Sequence, residues 1–112
     1  MLAQDRLDQA RLHYEEALRL DPDFVEAKNN LAYMAMQDGR NAEAAMLLDE
    51  IIQTDPDYAN AWLNRGIIAS DVDKDRARAL ECWRRYVELE GARADQVRQW
   101  IRDLESRPAE HP

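Results

Sequence analysis

The turn DVDKDRARALEC places Asp71, Asp73 and Asp75 at alternate positions, the spacing with which a calcium loop offers oxygen ligands to a cation. The rest of such a loop is missing, because Arg76 stands where its sixth position needs glycine and Cys82 where its twelfth needs a bidentate glutamate. These acids read instead as helix caps and turn solvation. His13 and Glu16 lie three apart and offer half a metal or acid–base site, but no second His or Cys completes it, and His111 falls in the polar tail ESRPAEHP. Ser70, Ser106 and Thr54 sit in no strand-to-helix elbow with a base beside them. Cys82 is alone, which excludes an intramolecular disulfide and a thiolate zinc cluster and makes it a small core residue. Gly39, Gly66 and Gly91 never cluster into a phosphate-cradling loop. The expectation is no enzyme, no metal and no cofactor.

A different pair carries more information. Asn30 and Asn64 stand 34 positions apart in near-copies of one segment, LDPDFVEAKNNLA from Leu20 and TDPDYANAWLNRG from Thr54. Asparagine is a poor helix former, so something other than local folding favours it there. A carboxamide both donates and accepts, so two of them can hold the backbone of a peptide whatever its side chains. The alternative is that each amide bonds a neighbouring helix.

The aromatics Trp62, Trp83, Trp100, Tyr14, Tyr58 and Tyr86 would suit a base-stacking platform only with Lys and Arg in excess. The balance is the reverse, 23 acidic residues against 15 basic and a net charge of −8, which repels phosphate backbones and anionic lipid heads. Nucleic acid and membrane surfaces are therefore not expected partners. No uncharged apolar run approaches the roughly 18 residues of a membrane span, and the start MLAQDRLDQA lacks the basic and apolar regions of a signal peptide, so a cytoplasmic location is favoured. Thirteen of the basic residues are Arg and two are Lys, a skew that fits a GC-rich genome or a salty interior.

The elements that position these residues are helices. Apolar residues recur at three- and four-residue steps almost throughout, and no segment alternates as a half-buried strand would. Pro22 and Pro56 disfavour helical geometry in the residue before them, so Asp21 and Asp55 close one helix while Asp23, with Glu26 in a capping box, and Asp57 begin the next. Gly39 divides the segment between the prolines into two helices of about 14 residues. SDVDKD, residues 70–75, divides the next unit, whose second helix runs to about Leu89, and ADQVRQWIRDLES follows Gly91 as a last amphipathic helix.

A 34-residue period of helix, turn and helix resembles the tetratricopeptide repeat family. The resemblance rests on small Ala32 and Gly66 in the first helices, Ala10 and Ala44 in the second, Trp62 near a first-helix start, and the terminal prolines Pro22 and Pro56. Lys28 departs from the aromatic that Trp62 supplies, Gly91 stands where a proline would be, and the third unit needs one residue inserted near Asp73 to bring Ala79, Trp83 and Tyr86 into register. The resemblance implies an all-α fold of antiparallel helix pairs stacked as a right-handed superhelical solenoid. It divides a single domain over residues 1–106 into a second helix at 1–22, repeats at 23–56 and 57–91, and a capping helix at 92–106, with a polar tail at 107–112.

In this family first helices line the concave face. That implies a groove of Glu26, Asn29, Asn30, Tyr33, Met36 and Gln37, continued by Asn60, Leu63, Asn64, Ile67, Ser70 and Asp71. No cation falls on it, since Lys28 and Arg65 point toward the helix-packing side, so the Lys/Arg clamp with which the family holds C-terminal carboxylates is not expected. The implied function is an interaction module that binds a peptide segment or helix of a protein partner within a larger, bacterial assembly. The alternative is a fragment of a longer repeat protein that self-associates weakly through the exposed N-terminal helix, where Leu2, Leu7, Ala10, Tyr14 and Ala17 share a face.

Overall fold

A computed structural model describes residues 2–107, with side chains described from residue 6 onward. Leu2's side chain, His111 and the tail beyond Arg107 lie outside the described residues. Among those described there are six helices and no strand: α1 (Leu2–Leu20), α2 (Val25–Gln37), α3 (Asn41–Thr54), α4 (Ala59–Asp71), α5 (Arg76–Glu88) and α6 (Ala94–Ser106). Each packs on the next in chain order, and α2 also reaches α4.

The punctuation of the chain explains the breaks. Gly39 adopts φ +80°, and the Arg40 N–H donates back to the Ala35 carbonyl at 2.8 Å, closing α2 with the left-handed turn that glycine permits without strain. Asp75 caps α5, its Oδ1 accepting from the Arg78 N–H at 3.1 Å, and Asp73 faces Arg65 at 3.5 Å. Two expected caps are not formed. The N-cap residues of α2 and α4 are Phe24 and Tyr58, with no side-chain cap, so the Asp23–Glu26 capping box is absent. Asp21 takes the local role: its carboxylate accepts from the Asp23 N–H at 3.2 Å, an Asx turn that shapes the corner before α2 starts.

Two core clusters lie along the stack. The first joins Ala32 and Ala35 of α2, Ala44, Leu48 and Ile51 of α3, and Ala61 and Ile68 of α4. The second joins Leu63 and Ala69 of α4, Ala79, Trp83 and Tyr86 of α5, and Val97 and Leu104 of α6. The units match volume differently. Ala32 shares its cluster with Leu48, whereas one unit later Gly66 makes room for Trp83. A Cβ on Gly66 would lie 2.3 Å from Trp83 Nε1, a position only a hydrogen can occupy.

Gly91 works in the same way. The left-handed residue ending α5 is Glu90, at φ 57°, while a Cβ on Gly91 would lie 2.1 Å from the Tyr86 ring. The Tyr86 hydroxyl accepts from the Arg93 N–H at 2.9 Å, tying the start of α6 to fully buried Tyr86. Trp100 then stacks obliquely on Trp83, centroids 5.4 Å apart, with the Arg93 guanidinium 5.2 Å from the Trp100 ring centroid.

Candidate partner-binding face

The face that matters is built by α2 and α4 side by side, flanked by α1 and α6. Asn64 Nδ2 donates to Asn29 Oδ1 at 3.2 Å, and the two side chains are 8% and 7% exposed. The amide pair is thus Asn29 with Asn64, a stitch between helices; the amide of Asn64 is engaged in the fold and Asn30 is left exposed. A buried polar pair that satisfies itself fixes the relative position of α2 and α4, because sliding either helix would orphan both groups.

On either side of this seam is a cleft. The α1/α2 cleft, about 210 Å³, is lined by Leu7, Ala10 and Tyr14 of α1 and by Asn30, Tyr33, Met34 and Gln37 of α2, with Arg11 and Asp38 at its border. Tyr33 is 51% exposed and Leu7 48%, large apolar surfaces that the fold leaves in water. The α4/α6 cleft, about 290 Å³, is lined by Ile67, Ser70 and Asp71, by Trp83, and by Trp100, Asp103, Leu104 and Arg107.

The remaining groove residues are distributed between these sites and the core. Glu26 and Asn60 are exposed at the α2 and α4 starts, where both act on half-buried Tyr58. Burial and the Glu26 charge raise the Tyr58 pKa, against a hydrogen bond to Asn60 that lowers it. Leu63 is only 5% exposed, packed with Trp83 and Val97 because α5 and α6 cover its side of α4. Met36 is half-buried against the first core cluster.

Charges sit where simple chemistry puts them. Lys28 and Arg65 are drawn to outer carboxylates, Lys28 to Glu50 at 3.8 Å and Arg65 to Asp49 at 3.0 Å. Cations do reach the clefts, but from elements other than the first helices: Arg11 from α1, paired with Asp38 at 2.6 Å, and Arg107 from the end of α6. The α6 contribution of Trp100, Asp103, Leu104 and Arg107 was not foreseen as part of a binding surface. The signal for it is the amphipathic pattern of ADQVRQWIRDLES, which says that the helix packs but not which face of α4 it reaches.

Catalytic and metal chemistry find no setting among the described residues. No three His, Cys, Asp or Glu side chains are placed to share a metal ion. Burial pushes the Cys82 thiol up to about 11, so it is a thiol at neutral pH. No helix of the described residues is long and apolar enough to cross a membrane.

Comparison with known proteins gives the same architecture. A tetratricopeptide repeat model matches residues 2–59. Human tetratricopeptide repeat protein 7B is 33% identical over 86 residues, covering 77% of this chain and 10% of that protein. Human protein O-mannosyl-transferase TMTC3 is 29% identical over 92 residues, 80% of this chain and 10% of that protein. The Caenorhabditis elegans tetratricopeptide repeat-containing protein trd-1 is 28% identical over 82 residues, 73% and 10%. The chain therefore spans a tenth of the length of the curated relatives it matches. The crystal structure of the Sgt2 TPR domain from Aspergillus fumigatus aligns with a TM-score of 0.72 at 22% identity, over 99% of this chain and 80% of that one, a likeness of fold. Family match, repeat interval and sequential stacking of helix pairs into an all-α solenoid agree: the chain belongs to the tetratricopeptide repeat family.

Proposed function

We propose that this chain is a protein-interaction module that binds a short segment or helix of a partner on the face formed by α2, α4 and the two clefts beside them. The observation that carries this reading is the α1/α2 cleft, where Tyr33, Asn30, Gln37 and Leu7 stay exposed although the fold has buried comparable side chains elsewhere. Exposed apolar and amide side chains converging on a concavity match the composition of a recognition site. Catalysis is not part of the proposal; the transferase name belongs to a relative of which this chain matches a tenth.

The charge of the face selects the partner. Glu26, Asp71 and Asp103 are exposed on or beside it, so basic or neutral segments are preferred and acidic ones repelled. Two short clefts support micromolar affinity, about −8 kcal/mol. The test is selection of binding segments from a random peptide library, followed by Tyr33→Ala and Asp71→Asn in the chain. Enrichment of basic segments, with affinity lost in the variants at unchanged melting temperature, supports the reading. Selected segments that bind both variants as tightly as the parent refute it.

A second reading has its own observation. Leu7, Leu12 and Leu20 of α1 are 48%, 65% and 71% exposed, an edge suited to weak self-association. Sedimentation equilibrium across a concentration series separates the two, since only this reading requires mass to rise with concentration.

A further inference from the structure

The 34-residue repetition indicates what belongs in the α1/α2 cleft. Its lining residues Ala10, Tyr14, Asn30 and Met34 have counterparts 34 positions on: Ala44, Leu48, Asn64 and Ile68. Those counterparts are 0%, 0%, 8% and 2% exposed, because α2 lies against the groove that α3 and α4 form. In the upstream copy Ala10, Tyr14 and Met34 are only half-buried and Asn30 is exposed. The same surface is thus built twice and covered by a helix once. The cleft continues the α2-on-α3/α4 interface one repeat step upstream, so the shape it presents is the one that α2 already satisfies.

We propose that the α1/α2 cleft is a docking site for a helix of a partner protein whose buried face repeats that of α2. This deepens the proposed function and rests on its premise that Asn30 and Tyr33 face a partner. The incoming helix carries small residues at the places of Ala27, Ala32 and Ala35, the buried alanines of α2. At the place of Asn29 it carries a carboxamide whose oxygen accepts from Asn30 Nδ2, as Asn29 accepts from Asn64. Its buried face is uncharged, since the charges on the cleft lining, Arg11 and Asp38, neutralise each other at 2.6 Å. A large or charged residue at the alanine places is excluded by the same close packing that leaves Ala44 and Leu48 no exposure.

The probe is a synthetic peptide with the sequence of residues 23–38, DFVEAKNNLAYMAMQD, stapled on its outer face because a free peptide of this length is marginally helical in water. Its binding to the full chain is followed by fluorescence anisotropy, beside a scrambled peptide carrying the same staple. The expected result is saturable micromolar binding for the probe, weakened about threefold to tenfold by Asn30→Ala in the chain, the loss of one amide hydrogen bond. A probe carrying Asn29→Leu should bind the parent chain more weakly and lose nothing further against the Asn30→Ala chain, the signature of a coupled pair. Binding no better than the scramble overturns the proposal, as does equal affinity for parent and Asn30→Ala chains. Concentration-dependent dimerisation abolished by Asn30→Ala and unaffected by the probe would assign the cleft to a second copy instead. If library-selected extended segments bind in a Tyr33-dependent way while the helix does not, this inference fails and the interaction-module reading stands; if neither binds, both fail.

Discussion

Gly66→Ala should destabilise the protein, against the rule that alanine in a helix interior is better than glycine by about 1 kcal/mol. The added methyl would sit 2.3 Å from Trp83 Nε1 and 2.4 Å from Cδ1, where unstrained contacts need about 3.5 Å, so the indole must retreat by about 1 Å. Trp83 is 6% exposed and backed by Trp100, and its Nε1 donates to the Leu63 carbonyl at 3.4 Å, so the movement costs packing and weakens that bond. Overpacking of this kind costs about 1–3 kcal/mol, and the propensity gain offsets part of it, leaving a net loss of about 1–2 kcal/mol. For a domain of this size each kcal/mol lowers the melting temperature by about 4–8 °C. Thermal unfolding followed by circular dichroism reads the sign directly. The companion variant is Trp83→Leu, which installs the residue found at the equivalent place, Leu48, opposite Ala32. Gly66→Ala should be nearly harmless in the Trp83→Leu background, with a coupling of about 1–2 kcal/mol. A Gly66→Ala protein as stable as the parent, or more so, would refute the volume-matching argument.

Other residues make separate predictions. Asn64→Ala leaves the buried Asn29 oxygen without its donor and should cost about 1–3 kcal/mol in urea unfolding, whereas exposed Asn30→Ala should leave the midpoint unchanged. Tyr86→Phe removes the acceptor of the Arg93 N–H and should cost about 1 kcal/mol, with faster amide exchange at the start of α6. Cys82 should resist a disulfide reagent at pH 8 until the protein unfolds, since burial lifts its pKa from 9.0 to about 11. The folded state favours the neutral thiol, so this residue's contribution to stability is full below pH 9 and is lost as pH rises through about 11, which an unfolding series in alkaline buffers measures.

The fold was legible because its signals are local. Pro22 and Pro56 stop helices, Gly39 takes the left-handed turn, and three- and four-residue apolar steps mark the helices between them. The repeat interval of Asp-Pro-Asp then orders the stack. What local signals could not reveal was the register across helices. Asn30 and Asn64 are equivalent in sequence, yet the hydrogen bond runs from Asn64 to Asn29, because consecutive first helices meet with opposite edges rather than equivalent ones. Gly91 shows the same limit, since its small size serves the Tyr86 ring rather than the backbone angle, which Glu90 supplies. The α4/α6 cleft also depends on where α6 lands, a tertiary fact that an amphipathic pattern leaves open.

The most direct measurement of the interaction-module account is a nuclear magnetic resonance titration of the isotope-labelled chain with a library-selected basic segment. The account predicts amide and side-chain shifts confined to Asn30, Tyr33 and Gln37 beside α1 and to Ile67, Ser70 and Asp71 beside α6, saturating at micromolar concentrations. Shifts clustered instead on the outer surface of α3 and α5, around exposed Met46 and Arg84, with the cleft residues unmoved, would contradict it.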